Sequence, residues 1–382
     1  MNLSLTEEQM MIQDMAKKFA ESELAPVAAH LDETGDQEIF KKNLAQLSEL
    51  GFMGLNIKAE YGGVEAGVVA FSLAITEIAK ACASTAVTTS VSNMVAEVIQ
   101  AVGNEQQKQT YLPRLCSGEY LAGGFCLTES GAGSDPAGMK TTAVKDGDDY
   151  ILNGSKIYIT SGNFAGVFVV WAVTDPDAKK GRGISCFIVE ANTPGINISK
   201  NEDKMGQKAS PTNEVHFENC RVPASALMGQ ENKGFGVAVG ELAGGRIGIG
   251  SLALGIGLAA LDYAKEFTKE RKQFDQPISN FQGLQWMMAE RYTEMEAARL
   301  LIMQAAYLKE QGLPFGPAAS MAKLFAAEKA NTACYDALQM LGGAGYIKEY
   351  PLERMARDVR ITSIYEGTSE IQKVIIARDL LS

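Results

Sequence analysis

The chain has 382 residues, and 35 Lys and Arg against 46 Asp and Glu give it a net charge of −11. This acidic balance, without any dense basic block, argues against nucleic acid as a partner. The only two histidines, His30 and His216, argue against a His-rich metal site and against two-histidine catalysis. The length predicts two or three domains of ordinary globular composition.

Six cysteines without a CxxC pair predict free, buried thiols in a reducing compartment. The acidic N-terminus lacks the apolar core of a signal peptide. No uncharged run offers the ~20 predominantly apolar residues that a membrane span needs, so we expect no transmembrane segment. A bacterial cytoplasm is the expected location, although a processed chain of the mitochondrial matrix would look the same.

Residues 1–118 have the pattern of a helical domain. Ser4 and Thr6 offer N-caps ahead of acidic residues, and apolar side chains then recur at helical spacing. The segment 39–50 is amphipathic and is followed by Gly51, a plausible residue after a helix end. Pro113 is expected to mark a further helix break.

Residues 119–228 change to the pattern of short β-strands. The runs 150–160, 167–174 and 183–190 are rich in β-branched and aromatic residues, and segments with Asp, Gly and Pro separate them. Short strands with regular turns predict a small β-barrel or sandwich.

Residues 229–382 return to helical patterns, at 235–271, 282–310, 318–339 and 368–381. Few breakers interrupt them, which predicts a helical bundle. Because no alternation of strand and helix accompanies these blocks, a Rossmann sheet is not expected. The predicted fold class is therefore α+β and multi-domain, with domains at 1–118, 119–228 and 229–382.

Two segments of the β block could hold a flat or anionic ligand. Gly131, Gly133 and Ser134 could bring backbone N–H groups and a hydroxyl to a phosphate, although an ordinary Gly/Ser turn has the same pattern. Tyr158 and Thr160 are two residues apart on a predicted strand, which suits stacking plus a hydrogen bond. A core tyrosine with a satisfied threonine is the alternative.

The helical C-terminal block contains two further candidate segments. Arg271 and Lys272 end a long helical pattern, where helix capping alone could explain them. The cluster of Gly342, Gly343 and Gly345 has more glycines than one helix end requires.

Glu366 lies between Tyr365 and Gly367, just ahead of the last predicted helix. A carboxylate among apolar neighbours has a raised pKa and can act as a base near neutral pH. Most glutamates are instead solvated, which is the alternative here.

Taken together, these motifs resemble those of the acyl-CoA dehydrogenase family along essentially the whole chain. The matching segments are Leu127–Asp135, Leu152–Lys156 with Tyr158–Thr160, Gly244–Arg246, Arg271–Phe274, Gln339–Tyr346 and Ile364–Gln372. The resemblance implies a helical N-terminal domain, a central β domain and a C-terminal four-helix bundle. It also implies bound FAD and a homotetramer built as a dimer of dimers.

By this resemblance, specific residues are expected to bind FAD. The flavin ring and its loop would involve Phe125, Cys126, Leu127, Thr128, Gly133, Ser134, Tyr158, Ile159 and Thr160. Further contacts would come from Arg271, Gln273, Phe274, Phe281 and Gln282, and from Thr368, Ser369 and Glu370 on the adenosine side. Gln339, Met340, Leu341, Gly342 and Gly343 would meet the FAD of a neighbouring subunit.

The resemblance also assigns the chemistry. Glu366 would take the α-proton of an acyl-CoA thioester while the β-hydride passes to flavin N5, and electrons would leave to an electron-transfer flavoprotein. Backbone N–H of Glu366 and a ribityl hydroxyl would hold the thioester carbonyl. Substrate contacts are expected at Ser134, Ala243, Gly244, Gly245, Arg246, Tyr365 and Gly367.

Two positions separate this chain from some family branches. Gly245 stands where those branches place the base, and Ala243 stands where many relatives have an Asp near CoA, which affects the details of CoA binding. Between residues 87 and 98, Glu97 is the only charge and no Arg is present, which favours an uncharged acyl chain. Reduction of an enoyl-CoA, loss of a group from the substrate, and a non-catalytic CoA- or partner-binding protein are the alternatives.

Overall fold

The structure is a computed structural model that describes residues 4–382. Six helices form the N-terminal part: α1 (Glu7–Phe19), α2 (Ala28–Thr34), α3 (Gln37–Glu49), α4 (Gly67–Ala81), α5 (Ala83–Val102) and α6 (Glu105–Ser117). Thr6 caps α1 with a capping box, as its position ahead of the acidic residues predicts. The expectation of a helical first block is confirmed.

Pro113 does not break a helix, and that prediction is wrong. It lies inside α6, which continues to Ser117 and ends at Gly118 with φ of +79°. A proline in a helix removes one N–H donor and strains the preceding turn. Here α6 tolerates it because Leu112 and Leu115, on either side of the proline, are buried and hold the helix against its neighbours.

The central part is a mixed eight-stranded sheet. Its strands are β1 (Gly123–Cys126), β2 (Thr142–Asp146), β3 (Asp149–Thr160), β4 (Val167–Val173), β5 (Ile184–Glu190), β6 (Ile196–Ile198), β7 (Thr212–Pro223) and β8 (Leu227–Met228). The order is β6-β7-β3-β2-β4-β5-β8, and β1 pairs with β4 in parallel. The predicted strand pattern is confirmed.

The sheet is not a closed barrel, so that form of the prediction is wrong. Within residues 4–382 the outer strands β6 and β8 do not pair with each other. They have only three and two residues, too few to complete a ring of ladders. Helices from the other two parts of the chain cover one face instead, since α5 packs on β1 and α7 packs on β5.

The C-terminal part consists of five helices, α7 (Gly234–Glu270), α8 (Gln282–Glu310), α9 (Gly316–Leu341), α10 (Leu352–Arg360) and α11 (Ser369–Leu380), with a short hairpin of β9 (Lys272–Gln273) and β10 (Gln276–Pro277) after α7. The helices α7, α8 and α9 pack on one another, and α10 and α11 pack on α9. The predicted helical bundle is confirmed. Helix α4 also packs on α7, which joins the two helical parts into one core.

By length and composition alone, α7 is one described helix apolar enough to cross a membrane. However, 78% of its most apolar stretch is buried inside the protein. Helices from both halves of the chain surround this stretch. Its hydrophobicity is therefore that of a central core helix.

Candidate active site

Glu366 lies in the short loop between α10 and α11, in a left-handed backbone conformation with φ of +53°. Two side chains hold the carbonyl that follows it: Lys323 Nζ and Gln372 Nε2 each donate a hydrogen bond of 2.8 Å to the Gly367 oxygen. A non-glycine residue in this conformation is strained, and such strain persists only where the surroundings impose it. The loop therefore presents Glu366 in a fixed position.

The carboxylate of Glu366 is buried without being satisfied. Its Oε2 has no hydrogen-bond partner among the described residues. Burial raises its pKa from 4.5 to about 7, and the positive charges of Arg246 and Lys323 lower it only in part. The expected raised pKa is thus confirmed, and its cause is loss of solvent. A group with this pKa can exchange a proton near neutral pH.

Arg246 and Gly245 place α7 directly beside this carboxylate. Arg246 is buried, its guanidinium donates to Ser320 at 3.4 Å, and its charge acts on Glu366. An added Cβ at Gly245 would lie 2.9 Å from Glu366 Oε2 and 2.8 Å from Met94 Sδ. Only a glycine leaves this approach open. The position of Arg246 fits support of the active site better than contact with an exposed phosphate.

A cavity opens beside Gly245, between α4, α5, α7 and the end of α8. It is lined by Asn56, Val68, Phe71, Ser90, Met94, Glu97, Glu241, Gly244, Gly245 and Lys309. One side of it is apolar and the other carries charges. The cavity therefore offers a Glu366-facing space that suits a ligand with both apolar and polar parts.

The charged side of the cavity is an ion-paired cluster. Lys309 pairs with Glu97, which also accepts a hydrogen bond of 2.7 Å from Asn56. Burial, together with the negative charge of Glu97, raises the pKa of Glu241 to about 8. Burial alone would lower the pKa of Lys309, but Glu97 and Glu241 outweigh it and raise that pKa. The Oε1 of Glu241 has no partner among the described residues.

The expected flavin segments of the sheet lie next to each other. The Ile157 N–H donates to Thr128 O at 2.9 Å, and Phe125 packs against Trp171 with ring centroids 4.4 Å apart. Tyr158 has φ of +58° at a bulge in β3 and is 66% exposed. This bulge breaks the strict alternation that the sequence suggests.

The loop that follows β1 is fixed by a buried ion pair. Glu129 accepts hydrogen bonds from Lys156 Nζ at 2.7 Å, Lys140 N at 2.6 Å and Thr141 N at 3.0 Å. Burial alone would raise the pKa of Glu129, but Lys156 and these N–H groups hold it below its usual value. Lys156 also donates to Leu127 O. The pair thus holds the segment that carries Thr128 and Ser134.

A chain of contacts connects these strands to Glu366. Ser161 N–H, directly after β3, donates to Pro211 O at 2.8 Å. From the same loop, Gln207 donates to Tyr365 OH at 3.2 Å and to the Asp358 carboxylate. Tyr365 precedes Glu366, so the end of β3 and the base loop belong to one connected region. The capped start of α11, where Thr368 accepts from Ile371 N–H, lies in this region too.

The remaining predicted residues lie at the other end of the bundle. Helix α7 carries the chain ~38 Å from Gly245 to the hairpin that follows it. There Phe274 is 85% exposed and meets Phe281 edge-on at 6.0 Å. Gln339–Gly343, at the end of α9, lie near the same end because α7 and α9 run in parallel. A single chain does not bring these residues to its own Glu366.

Lys323 is a residue of this site that the motifs do not identify. It is fully buried on α9, on the same stripe as Ala319, Ala326 and Ala330. A lysine at a buried position of an alanine stripe is a detectable signal, since lysines are almost never fully buried unless paired. Lys309 and Glu241 gave no such signal, because exposed helix faces commonly carry those residues.

Comparisons with known proteins agree with this architecture. The chain matches the models "Acyl-CoA dehydrogenase, N-terminal domain" at residues 6–119, "middle domain" at 124–220 and "C-terminal domain" at 232–381. It is 46% identical to "Acryloyl-CoA reductase (NADH)" of Anaerotignum propionicum, covering 100% of this chain and 96% of that protein. It is 45% identical to "Acyl-CoA dehydrogenase, short-chain specific" of Clostridium acetobutylicum, covering 99% of each.

A solved structure is equally similar in its fold. The structure titled "Electron transferring flavoprotein of Acidaminococcus fermentans: Towards a mechanism of flavin-based electron bifurcation" contains a chain that is 45% identical. It superposes with a TM-score of 0.97 and covers 100% of both chains. With matches over all three parts of the sequence, the chain belongs to the acyl-CoA dehydrogenase family.

Proposed function

We propose that this chain is an FAD-dependent enzyme that removes the α- and β-hydrogens of a saturated acyl-CoA to give the trans-2-enoyl-CoA. The observation that carries the proposal is Glu366, whose buried carboxylate has an unpartnered Oε2 and a pKa raised to about 7. It faces a cavity of suitable chemistry.

The residues fit an extended flavin nucleotide. Tyr158 presents an exposed aromatic side chain next to Thr160, and open space surrounds the α-carbons of Gly131 and Gly133. Backbone N–H groups of such a loop can approach phosphate or ring acceptors closely. When bound, FAD supplies the acceptor for the substrate's β-hydride. Phe125–Thr128, Ser134, Tyr158–Thr160 and Thr368–Glu370 would hold it.

The chain's own residues prepare the α-carbon for proton loss. Glu366 takes the α-proton onto its carboxylate. Its backbone N–H, which has no acceptor among the described residues, donates to the thioester carbonyl and stabilises the enolate-like charge. Tyr365, Gly367 and the glycines of α7 surround the thioester. Met94 and Phe71 exclude water, which strengthens these hydrogen bonds.

A second copy of this chain completes the nucleotide site. Phe274, Tyr346 and Trp286 are more than 60% exposed, far from this chain's own Glu366. Large apolar surface of this kind marks an interface. Arg271, Gln273, Phe281, Gln282 and Gln339–Gly343 would meet the FAD of a neighbouring subunit in a homotetramer.

Electrons would leave to an electron-transfer flavoprotein, as supported by the complex named for the Acidaminococcus structure. The bacterial relatives and the six free, buried cysteines support a bacterial cytoplasm. The absence of an Asp at position 243 leaves CoA with other contacts, among which the cluster of Glu97, Glu241 and Lys309 is the nearest on α7.

The purified protein tests the proposal by its colour. We expect a yellow protein whose flavin band is bleached anaerobically by a saturated acyl-CoA, with enoyl-CoA as the product. A colourless protein that takes up no added FAD would contradict it and would support a binding protein instead.

A second candidate is reduction of an enoyl-CoA at the same site, which the relative named as an acryloyl-CoA reductase favours. Glu366 would then donate its proton to the α-carbon, which its pKa of about 7 permits in either direction. Rates measured in both directions, with a dye acceptor and with reduced electron-transfer flavoprotein, separate the two.

A further inference from the structure

The cavity beside Glu366 divides into two chemically different halves. Val68 and Phe71 of α4 and Met94 of α5 form an apolar half, whereas Glu97, Glu241 and Lys309 form the charged half. Gly245, against which the Glu366 carboxylate lies, stands at the boundary. An acyl thioester is also divided, into a hydrocarbon chain and an amide-bearing arm.

The charged half is unsuited to hydrocarbon. The Lys309 ammonium and Glu241 Oε1 lie 2.5 Å and 3.5 Å from the position of an added Cβ at Gly244. Hydrocarbon packed there would remove water from buried charges without replacing its hydrogen bonds, which is costly. An amide N–H can instead donate to the unpartnered Oε1 of Glu241. The hydrocarbon chain therefore lies toward Val68 and Phe71.

The apolar half ends close to Glu366. An added Cβ at Gly248 would lie 2.4 Å from Ser90 Oγ and 3.4 Å from the Phe71 ring, so α5 and α7 are in contact there. Gly248 is three residues beyond Gly245, less than one helical turn. Phe71 is only 5% exposed and packs in the same core cluster as Met94. The side chains that close this half thus stand within one turn of the reacting carbon.

We propose that Phe71 and Ser90 form an end wall that limits the substrate to short acyl chains. This inference rests on the proposed function, because it takes the cavity to hold the acyl group. The wall is built from a close contact of α5 with α7 and from a ring on α4. A longer chain has to displace both, and packed interiors resist such displacement.

The test is the chain-length profile of the holoenzyme. We expect kcat/KM with a dye acceptor to be highest for butanoyl-CoA or hexanoyl-CoA and at least tenfold lower for octanoyl-CoA and decanoyl-CoA. In Phe71→Ala, removal of the ring should raise the ratio of decanoyl-CoA to butanoyl-CoA rates at least tenfold. Equal rates for all four substrates in the wild type would overturn the proposal.

Phe187→Ala is the matched control. It removes a fully buried ring of similar size, packed on Tyr150 in the sheet and away from the cavity. Its chain-length ratio should equal that of the wild type. If Phe71→Ala does not fold, Phe71→Leu gives the same direction with a smaller change. An unchanged ratio in a folded Phe71 variant that retains FAD contradicts the wall.

Binding measurements separate this proposal from the proposed function. Calorimetric titration with butanoyl-CoA and decanoyl-CoA measures chain-length selection without turnover. If no acyl-CoA is oxidised but butanoyl-CoA binds at least tenfold more tightly, the proposed reaction fails and the end wall stands. If oxidation occurs and both thioesters bind equally, the wall fails alone.

Discussion

Two glutamates with buried carboxylates, Glu129 and Glu366, have opposite surroundings. Glu129 accepts three hydrogen bonds, one of them from the buried Lys156, and its pKa is lowered. Glu366 has an Oε2 with no partner among the described residues, and its pKa is raised to about 7. Both stand in loops beside glycines, so residue type and local sequence do not separate them.

The difference lies in where the compensation for burial comes from. At Glu129 it is complete within the chain, which identifies that carboxylate as part of the loop's framework. At Glu366 the nearby charges of Arg246 and Lys323 compensate only in part, which leaves the carboxylate able to take a proton. The variants below test this distinction.

Glu366→Gln should cause the largest change. Gln keeps the size of the side chain but cannot take the α-proton, so we expect kcat to fall about 10³-fold while FAD stays bound. Anaerobic bleaching of the flavin band by an acyl-CoA measures it. Glu349→Gln, at an exposed position, should keep full activity. Unreduced turnover in Glu366→Gln would exclude this carboxylate as the base.

Lys156→Met should act on folding instead. It leaves Glu129 buried without its charged partner, and the loss should lower the free energy of unfolding by about 3–5 kcal/mol. Denaturant unfolding measures it, with Lys145→Met on the exposed surface as the control. The double variant Glu129→Leu/Lys156→Met should lose less, because no unpaired charge remains. A single variant as stable as the wild type would refute the framework role.

The sequence predicted most of the fold because its helices and strands have strong, uninterrupted periodicity. The pattern 282–310 corresponds to α8 at both ends. Pro113 misled because tertiary packing holds α6 through a residue that usually ends helices. The left-handed conformations of Tyr158 and Glu366 have no local signal, since neither residue type favours positive φ.

The candidate site was predictable where one segment carries a motif, and not where distant segments meet. Glu366 and its loop were found from the sequence, but the cavity wall at Phe71, Ser90 and Gly248 depends on three helices in contact. Their spacing along the chain, 71 to 248, gives no indication of proximity. The far-end residues 271–282 were found as a motif, yet a single chain does not show what they bind.

The pH dependence of stability should also distinguish the two carboxylates. Below pH 4.5 Glu366 is protonated in both folded and unfolded chains. Between pH 4.5 and about 7 the folded chain holds the proton that the unfolded chain releases, so stability falls as pH rises. The wild type should therefore lose up to about 3 kcal/mol relative to Glu366→Gln across this range. Unfolding measured at several pH values tests it, and parallel curves would contradict the raised pKa.

Lys323→Met should give the smallest effect and the most specific one. Burial lowers the pKa of Lys323 to about 8, so it is charged at pH 7 and favours the ionised form of Glu366. Without that charge the pKa of Glu366 rises, and the pH midpoint of kcat/KM should move up by about one unit, roughly a tenfold loss at pH 7. Lys323→Arg keeps the charge and should keep the midpoint, while Lys373→Met, which is exposed, should change nothing. A variant that is only less stable would lower activity equally at every pH. A lower rate with an unmoved midpoint would therefore leave Lys323 as a packing residue of the Gly367 loop, whereas a shifted midpoint makes it the residue that sets the base.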